Sequence, residues 1–95
     1  MKKYCVIVGL ICISSAAFAQ TAKDLTQKGR ELYEKNEFME ALLNLNKAIT
    51  IDANYSPAYY LRGNIKDKFE DRHGAMKDYN TALEKNPKFA DAFFA

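Results

Sequence analysis

The sequence repeats itself with a period of 34 residues along most of its length. Units 22–55 and 56–89 share only four identical residues, so the signal comes from where the matches fall and not from overall identity. Three of the identical pairs are small residues: Gly29 and Gly63, Ala41 and Ala75, and Ala48 and Ala82. Leu25, Tyr59 and Phe93 follow the same step and extend it toward a third unit. A fixed period of this length is typical of solenoids, in which each repeat is one supersecondary unit.

Within each unit, the apolar residues are spaced as in two amphipathic helices joined by a short turn. Leu25, Gly29 and Leu32 fall at i, i+4 and i+7, which is one face of an α-helix. The pattern predicts four helices, separated by short breaks, over 22–35, 38–51, 57–69 and 72–85. Ser56 is predicted to be the N-cap of the third helix, with Pro57 at the first helical position. The sequence therefore predicts an all-α fold of antiparallel helix pairs.

The recurring small residues have a packing reason. Two antiparallel helices joined by a tight turn approach closely only where side chains are small, and a larger side chain would cost about 1–3 kcal/mol. A glycine inside a helix is less favourable than alanine by roughly 0.5–1 kcal/mol, so its recurrence indicates that close approach is needed. We therefore expect each glycine at the level of two alanines of the paired helix: Gly29 with Ala41 and Ala48, and Gly63 with Ala75 and Ala82.

This arrangement resembles the tetratricopeptide repeat (TPR), a family of helix pairs with the same period. The family's signature positions hold, in the first unit, Leu25, Gly29, Ala41, Leu45, Ala48 and Ala53. In the second unit they hold Tyr59, Gly63, Ala75, Tyr79, Ala82 and Pro87. Phe38 fits a further aromatic position, where the second unit has Arg72. The other departures are Ala53 in place of the usual proline, and Lys28 and Arg62 in place of the usual leucine.

The resemblance implies a TPR-type α-solenoid with two repeats, 22–55 and 56–89, and the start of a third at 90–95. It implies a protein–protein interaction module that binds a peptide or helix of a partner protein without catalysing a reaction. The concave surface for such a partner is lined by the first helix of each repeat. The alternative is a structural role, because solenoids usually need three repeats or more. The chain would then be a fragment or subunit of a longer solenoid that acts by self-association.

The candidate peptide-binding residues lie beside the core face of the first helix in each repeat. They are Thr26, Arg30 and Tyr33 in the first repeat and Tyr60, Asn64 and Asp67 in the second. Each trio is spaced i, i+4 and i+7, and TPR proteins use these positions for their groove, as the resemblance implies. Thr26 and Tyr60 stand where a carboxylate clamp would need lysine, so an internal segment or a helix is the expected ligand. The alternative is that these side chains are ordinary solvated surface.

The first 19 residues have the pattern of a secretory signal peptide. Two lysines precede an apolar run of ten residues, 4–13, and Ala17-Phe18-Ala19 is an A-x-A cleavage pattern. A membrane-spanning helix needs about 20 apolar residues, twice the length of this run. We therefore expect cleavage after Ala19, export to a periplasm or out of the cell, and a TPR domain over 20–95. An uncleaved anchor or a buried N-terminal helix is the alternative.

The chain that remains after cleavage has no net charge and no cysteine. Loss of Lys2 and Lys3 leaves 12 basic residues against 12 acidic ones, and Cys5 and Cys12 leave with the same segment. Without net positive charge, the electrostatic part of nucleic-acid binding is missing, so no nucleic-acid partner is expected. Without disulfides, a chain of this size must gain its stability from helix packing, a metal or a partner, and a homo-oligomer is one such solution.

Residues suited to catalysis or metal binding are scarce. After cleavage the chain has one serine, Ser56, and one histidine, His73, so a serine triad would have to use both. A lone histidine without cysteine cannot build the usual structural zinc site. The sequence therefore predicts no enzyme, no cofactor and no metal. It also assigns Tyr59, Tyr79 and Phe93 to core packing and not to base stacking.

Overall fold

A computed structural model of the protein describes residues 20–89. The expectations for the signal peptide at 1–19, for Phe93 and for a third repeat at 90–95 lie outside these residues. Four α-helices follow one another along the described chain: α1 (Ala22–Glu34), α2 (Phe38–Ile51), α3 (Ser56–Lys68) and α4 (Arg72–Lys85). A single 3₁₀ turn, Pro87–Phe89, comes after α4. No strand occurs in the described part, and the predicted all-α, TPR-type helical repeat is confirmed.

The predicted start of α3 is one residue too late, and the predicted capping role of Ser56 is wrong. The helix begins at Ser56, and its N-cap is Tyr55, from which no side-chain hydrogen bond caps the helix. The Tyr55 carbonyl already accepts a hydrogen bond from the Ala58 amide at 3.2 Å. This bond places Ser56 inside the first turn, where its side chain is buried.

The turns inside the two repeats have the same backbone. Asn36 after α1 and Glu70 after α3 both have left-handed φ angles, of 64° and 62°. In the first turn, the amide of Glu37 donates to the carbonyl of Leu32 at 2.8 Å, and the equivalent bond recurs 34 residues later. This pairing is the Schellman motif, which satisfies carbonyls at a helix end and turns the chain back. Each repeat is therefore an antiparallel helix pair joined by the same turn.

The two glycines that recur at the 34-residue period, Gly29 and Gly63, lie where the paired helices approach each other closely. A Cβ atom at Gly29 would lie 2.9 Å from Cδ2 of Leu45 and 3.4 Å from the Ala41 carbonyl oxygen. A Cβ atom at Gly63 would lie 2.6 Å from Cε1 of Tyr79. The expected close approach is confirmed, but the nearest side chains are Leu45 and Tyr79. The carbonyls of Ala41 and Ala75 are also among the nearest atoms, which confirms that each glycine lies at the level of the first of its two expected alanines.

The third helix joins the two repeats, because α3 contacts both α1 and α2 as well as its partner α4. A continuous buried core results, and it draws on the first three helices: Ala22, Leu25, Leu32, Ala41, Leu45, Ala48, Ala58, Leu61 and Ile65. Burial of such side chains is worth about 25 cal/mol per Å² of apolar surface. The core holds α1 and α3 side by side, and this arrangement positions the candidate site. No helix within residues 20–89 is both long and apolar enough to cross a membrane.

Candidate functional site

The structure separates the six predicted groove residues by their exposure. Arg30 and Asp67 are exposed, while Tyr33, Tyr60 and Asn64 are half-buried at the surface of α1 and α3. Side chains in these states can still reach a ligand.

Thr26 differs from the other five. It is only 3% exposed, and its hydroxyl has no hydrogen-bond partner within the described residues. Packing of α1 therefore buries the Thr26 hydroxyl, and its predicted part in peptide binding stays a prediction. A threonine at a buried helix position can be accommodated by its methyl group, and sequence spacing alone does not distinguish this from a surface position.

A hydrogen bond between α3 and α4 holds one of the predicted site residues of the second repeat. The Tyr79 hydroxyl donates to Oδ1 of Asn64 at 2.7 Å. The ring of Tyr79 lies beside that of Tyr60, with 5.9 Å between the ring centres. With its oxygen used in this way, the Asn64 amide keeps two N–H donors for other partners.

Tyr79 was assigned to the core by its place in the repeat, and this assignment is only half correct. Its ring packs over Gly63, but the side chain is half-buried and its hydroxyl reaches Asn64 among the groove residues. A signal for this was present in the sequence. The first repeat has Leu45 at the same position, and replacing leucine by tyrosine adds a polar atom that must find a partner at the core edge.

The surroundings of Tyr79 raise the pKa of its hydroxyl group. Burial raises the pKa of the Tyr79 hydroxyl above its ordinary value of 10.0, and the negative charge of Asp67 raises it further. Smaller contributions come from Tyr60 and Tyr33. Two predicted residues of α3 contact Tyr79 directly: Asn64 accepts its hydroxyl hydrogen bond, and the Tyr60 ring lies beside its ring.

Aromatic rings also lie close together near the turns inside the repeats. The Tyr33 and Phe38 ring centres are 5.5 Å apart, and Phe38 meets Phe69 edge-on at 6.0 Å. The ammonium of Lys68 lies 6.0 Å from the centre of the Tyr33 ring, within the range of a cation–π interaction. This end of the surface therefore combines aromatic faces with charged groups from α3.

A buried carboxylate on the second repeat was not anticipated. Asp78 is 2% exposed and receives two hydrogen bonds from Arg62, from Nε at 2.9 Å and from Nη2 at 2.8 Å. Lys66 adds an ion pair at 3.0 Å. A third guanidinium nitrogen of Arg62 donates to Asn46 on α2 at 2.9 Å. The sequence signal was Arg62 itself, a cation at a position where the TPR pattern has leucine.

The remaining tyrosine of α3 supports the same cluster. Tyr59 is 9% exposed, which confirms its predicted place in the core. Its hydroxyl donates to the Ala53 carbonyl at 2.8 Å, and Arg62 stacks over its ring at 5.5 Å from the centre. Tyr59 therefore fastens the loop between the repeats and provides a face for Arg62.

The two residues considered for a serine triad, Ser56 and His73, differ in burial and lie on different helices. Ser56 is buried in the first turn of α3, whereas His73 is exposed on α4. Within residues 20–89, no three His, Cys, Asp or Glu side chains are grouped to hold a metal ion.

A second surface, on the outer side of α2, is apolar. Met39, Leu43 and Ile51 are exposed by 66%, 60% and 55%. Leu43 and Ile51 also line an open pocket of about 390 Å³, together with Leu25 of α1. The corresponding residues of the second repeat are His73, Lys77 and Lys85. The apolar surface is therefore a property of the first repeat and not of the repeat plan.

The fold and the two helix pairs define a helical-repeat protein. A family model described as TPR repeat matches residues 29–66, which run from Gly29 in α1 to Lys66 in α3. This match supports the tetratricopeptide repeat family and suggests a protein–protein interaction module. TPR repeats are generally non-catalytic. No curated protein matches the chain.

Proposed function

We propose that the protein is an exported interaction module that binds a peptide or helix of a partner protein in the groove between α1 and α3. The observation that supports this proposal is the exposure of five predicted side chains on α1 and α3, which are exposed or half-buried: Arg30, Tyr33, Tyr60, Asn64 and Asp67. Their character is mixed, with aromatic area, a hydrogen-bonding amide and both signs of charge. Such a surface suits a polypeptide, which offers apolar side chains, carbonyls and charges together.

Each side chain has a distinct part in the proposed binding. Asn64 has its oxygen held by Tyr79, so its N–H groups donate to a carbonyl of the ligand backbone. Tyr33 and Tyr60 supply rigid contact area, since a tyrosine loses little conformational freedom on binding. Arg30 is exposed and pairs with a carboxylate of the ligand.

Export is the second part of the proposal. Its support is the order of basic, apolar and small residues over 1–19, followed at once by the described domain. Intact-mass measurement on protein from the exported fraction tests it. Export with cleavage predicts a chain that begins at Gln20, whereas a mass that includes residues 1–19 contradicts cleavage.

The groove is tested by changing Arg30, Tyr33 and Tyr60 to alanine together. We expect the triple variant to lose recovery of partner proteins from the exported fraction while it keeps its helicity by circular dichroism. The matched control changes three exposed residues of α4, His73, Lys77 and Glu84, to alanine, and it should keep recovery. Unchanged recovery with the groove variant contradicts the site. Lost helicity would show instead that these side chains serve the fold.

Self-association is the second candidate function, and the exposed side chains of α2 favour it. Met39, Leu43 and Ile51 form an apolar surface that a second copy or a further repeat could cover. Sedimentation of the protein over a range of concentrations tests this function. Dimers that disappear when Leu43 and Ile51 are changed to serine support it, and a monomer at all concentrations contradicts it.

A further inference from the structure

We propose that Arg62 is a positioning residue, which fixes the orientation of the second helix pair on the first and thereby the arrangement of α1 and α3. Its effect on the packing of the two repeats is independent of the proposed function. Its effect on peptide binding rests on the proposed function, because it acts through the groove between α1 and α3.

The guanidinium group of Arg62 bonds to both neighbouring helices at once. Towards α4, Nε and Nη2 donate to the two carboxylate oxygens of Asp78 at 2.9 and 2.8 Å. Towards α2, Nη1 donates to Oδ1 of Asn46 at 2.9 Å. A guanidinium group is planar and rigid, so its N–H donors point in fixed directions. One side chain of α3 therefore connects a helix of the first repeat to a helix of the second.

The surroundings of this guanidinium group limit the ways in which it can turn. The ring of Tyr59 lies against it, with 5.5 Å between the ring centre and Cζ, and the Tyr59 hydroxyl donates to the Ala53 carbonyl in the loop between the repeats. Asp78 is 2% exposed and also pairs with Lys66 at 3.0 Å. A buried carboxylate that loses its cationic partners is costly, so the α4 end of the contact is firmly held. The exposed Asn46 end carries this orientation over to α2.

The first repeat has a different arrangement at the equivalent positions. Lys28 occupies the same repeat position as Arg62, but it is exposed and forms no ion pair within residues 20–89. Asn44 stands in the place of Asp78, and its side chain donates to a carbonyl of its own helix. Apolar contacts are non-directional, whereas hydrogen bonds depend on angle. The contact of Arg62 therefore adds a preferred orientation at the place where the two repeats meet.

This orientation matters for binding, because the proposed site takes side chains from both repeats. One part of the site lies on α1, and the other lies on α3, the helix that carries Arg62. A ligand that contacts both helices needs them in one arrangement, and its apparent affinity falls with the fraction of molecules that hold this arrangement. We therefore expect loss of the contact to weaken peptide binding although no groove side chain is removed.

The orientation of the repeats is measured as the distance between two spin labels. The labels are attached after Glu40→Cys on α2 and Lys77→Cys on α4, at two exposed positions. The two cysteines of the chain itself lie within residues 1–19 and are changed to serine in every variant, so that only the introduced ones are labelled. Pulsed electron paramagnetic resonance then gives the distribution of label distances.

Two variants remove the contact in different ways. Arg62→Lys keeps the positive charge but loses the planar fork that bonds to both neighbours. Asn46→Ala removes the α2 end alone, at an exposed position where the fold does not depend on it. We expect both variants to broaden the distance distribution and to keep their helicity by circular dichroism. The matched control is Lys28→Gln, which should change neither. Distributions that stay as narrow in both variants as in the protein itself overturn the proposal.

Peptide binding decides whether the same contact positions the groove. A dodecapeptide, selected on the immobilised protein from a phage-displayed random library, is titrated into each variant. We expect Arg62→Lys and Asn46→Ala to bind it about five-fold more weakly, as when about a fifth of the molecules hold the binding arrangement. Lys28→Gln should bind it unchanged.

The outcomes separate this proposal from the proposed function. Broadened distances with unchanged affinity overturn the positioning role of Arg62 and leave the groove as the binding site. A library that yields no binder contradicts the groove, and the label distances then decide by themselves whether Arg62 fixes the orientation of the repeats.

Discussion

The two repeats share a backbone plan but are held together by different chemistry. Both have a Schellman turn, and both bring a glycine against the paired helix. In the first repeat the side chain across from the glycine is Leu45, and Asn44 beside it bonds only to the Glu40 carbonyl of its own helix. In the second repeat the equivalent residues are Tyr79 and Asp78, and both bond across to α3. The geometry is thus specified by a few small residues, while the neighbouring positions are free to diverge.

This divergence links the second repeat's packing to the groove. Tyr79 packs over Gly63 with its ring and holds Asn64 with its hydroxyl, so one side chain contributes to both the fold and the candidate site. In the first repeat, Leu45 has no polar atom and can contribute only to packing. Changes at Tyr79 are therefore expected to affect stability and binding together, and changes at Leu45 to affect stability alone.

The largest difference between the repeats is expected at Asp78. In Asp78→Ala, Arg62 and Lys66 lose their shared carboxylate, and a cavity opens in a buried position. Both cations are partly exposed and can be rehydrated, so we expect the free energy of unfolding to fall by about 3 kcal/mol, at the lower end for a broken buried pair.

Urea denaturation measures this effect, and Asn44→Ala is the matched control in the first repeat. The control should change the unfolding free energy by less than about 0.5 kcal/mol, because within residues 20–89 the Asn44 side chain bonds only to the Glu40 carbonyl of its own helix. Similar losses in the two variants would contradict the difference between the repeats.

The next largest difference is expected between the stabilities of the Gly63→Ala and Gly29→Ala variants. Gly63→Ala places a Cβ atom 2.6 Å from the Tyr79 ring, whose hydroxyl is anchored to Asn64. A rigid ring cannot yield easily, so we expect a loss of about 1–3 kcal/mol. Gly29→Ala meets the flexible end of Leu45 at 2.9 Å. Here the gain in helix propensity, about 1 kcal/mol, should offset most of the strain. Thermal melting of both variants decides, and an equal or larger loss for Gly29→Ala would count against this reading.

A smaller difference in unfolding free energy is expected between substitutions at the first residues of the two repeats. Thr21 caps α1 in a capping box with Asp24, and its hydroxyl accepts from the Asp24 amide at 3.0 Å. Thr21→Ala should therefore cost about 1 kcal/mol of unfolding free energy. Ser56 makes no capping bond, so Ser56→Ala should cost clearly less. Denaturation of the two variants under one condition compares them, and a larger loss for Ser56→Ala would restore the capping role rejected above.

The smallest expected effect is at the Tyr79 hydroxyl and depends on pH. Tyr79→Phe removes the bond to Asn64 and should cost about 0.5–1 kcal/mol below pH 10. The pKa of Tyr79 is raised in the folded protein, so folding favours the protonated form. This stabilisation is complete below the ordinary pKa of 10.0 and is lost as the pH rises through the folded-state value. The difference between the protein and Tyr79→Phe should therefore shrink above pH 10; a constant difference contradicts the environment assigned to Tyr79.

The sequence predicted the helices well, and it failed where side chains make polar contacts across helices. Periodicity and small residues determine helix pairing, so α2 and α4 were predicted with their observed bounds. The pairing of Arg62 with Asp78 could not be predicted, because i+16 contacts depend on how two helices are rotated. The burial of Thr26 and Ser56 was missed for a related reason, because burial of a polar side chain depends on neighbours that spacing does not reveal.

The central claim is that the groove between α1 and α3, and not the apolar outer side of α2, is the partner surface. Two-dimensional amide NMR of the protein, titrated with a dodecapeptide selected on it, tests this directly. We predict that the largest shift changes occur at Arg30, Tyr33, Tyr60, Asn64 and Asp67. Shift changes confined to Met39, Leu43 and Ile51, with the groove residues unchanged, would contradict the account.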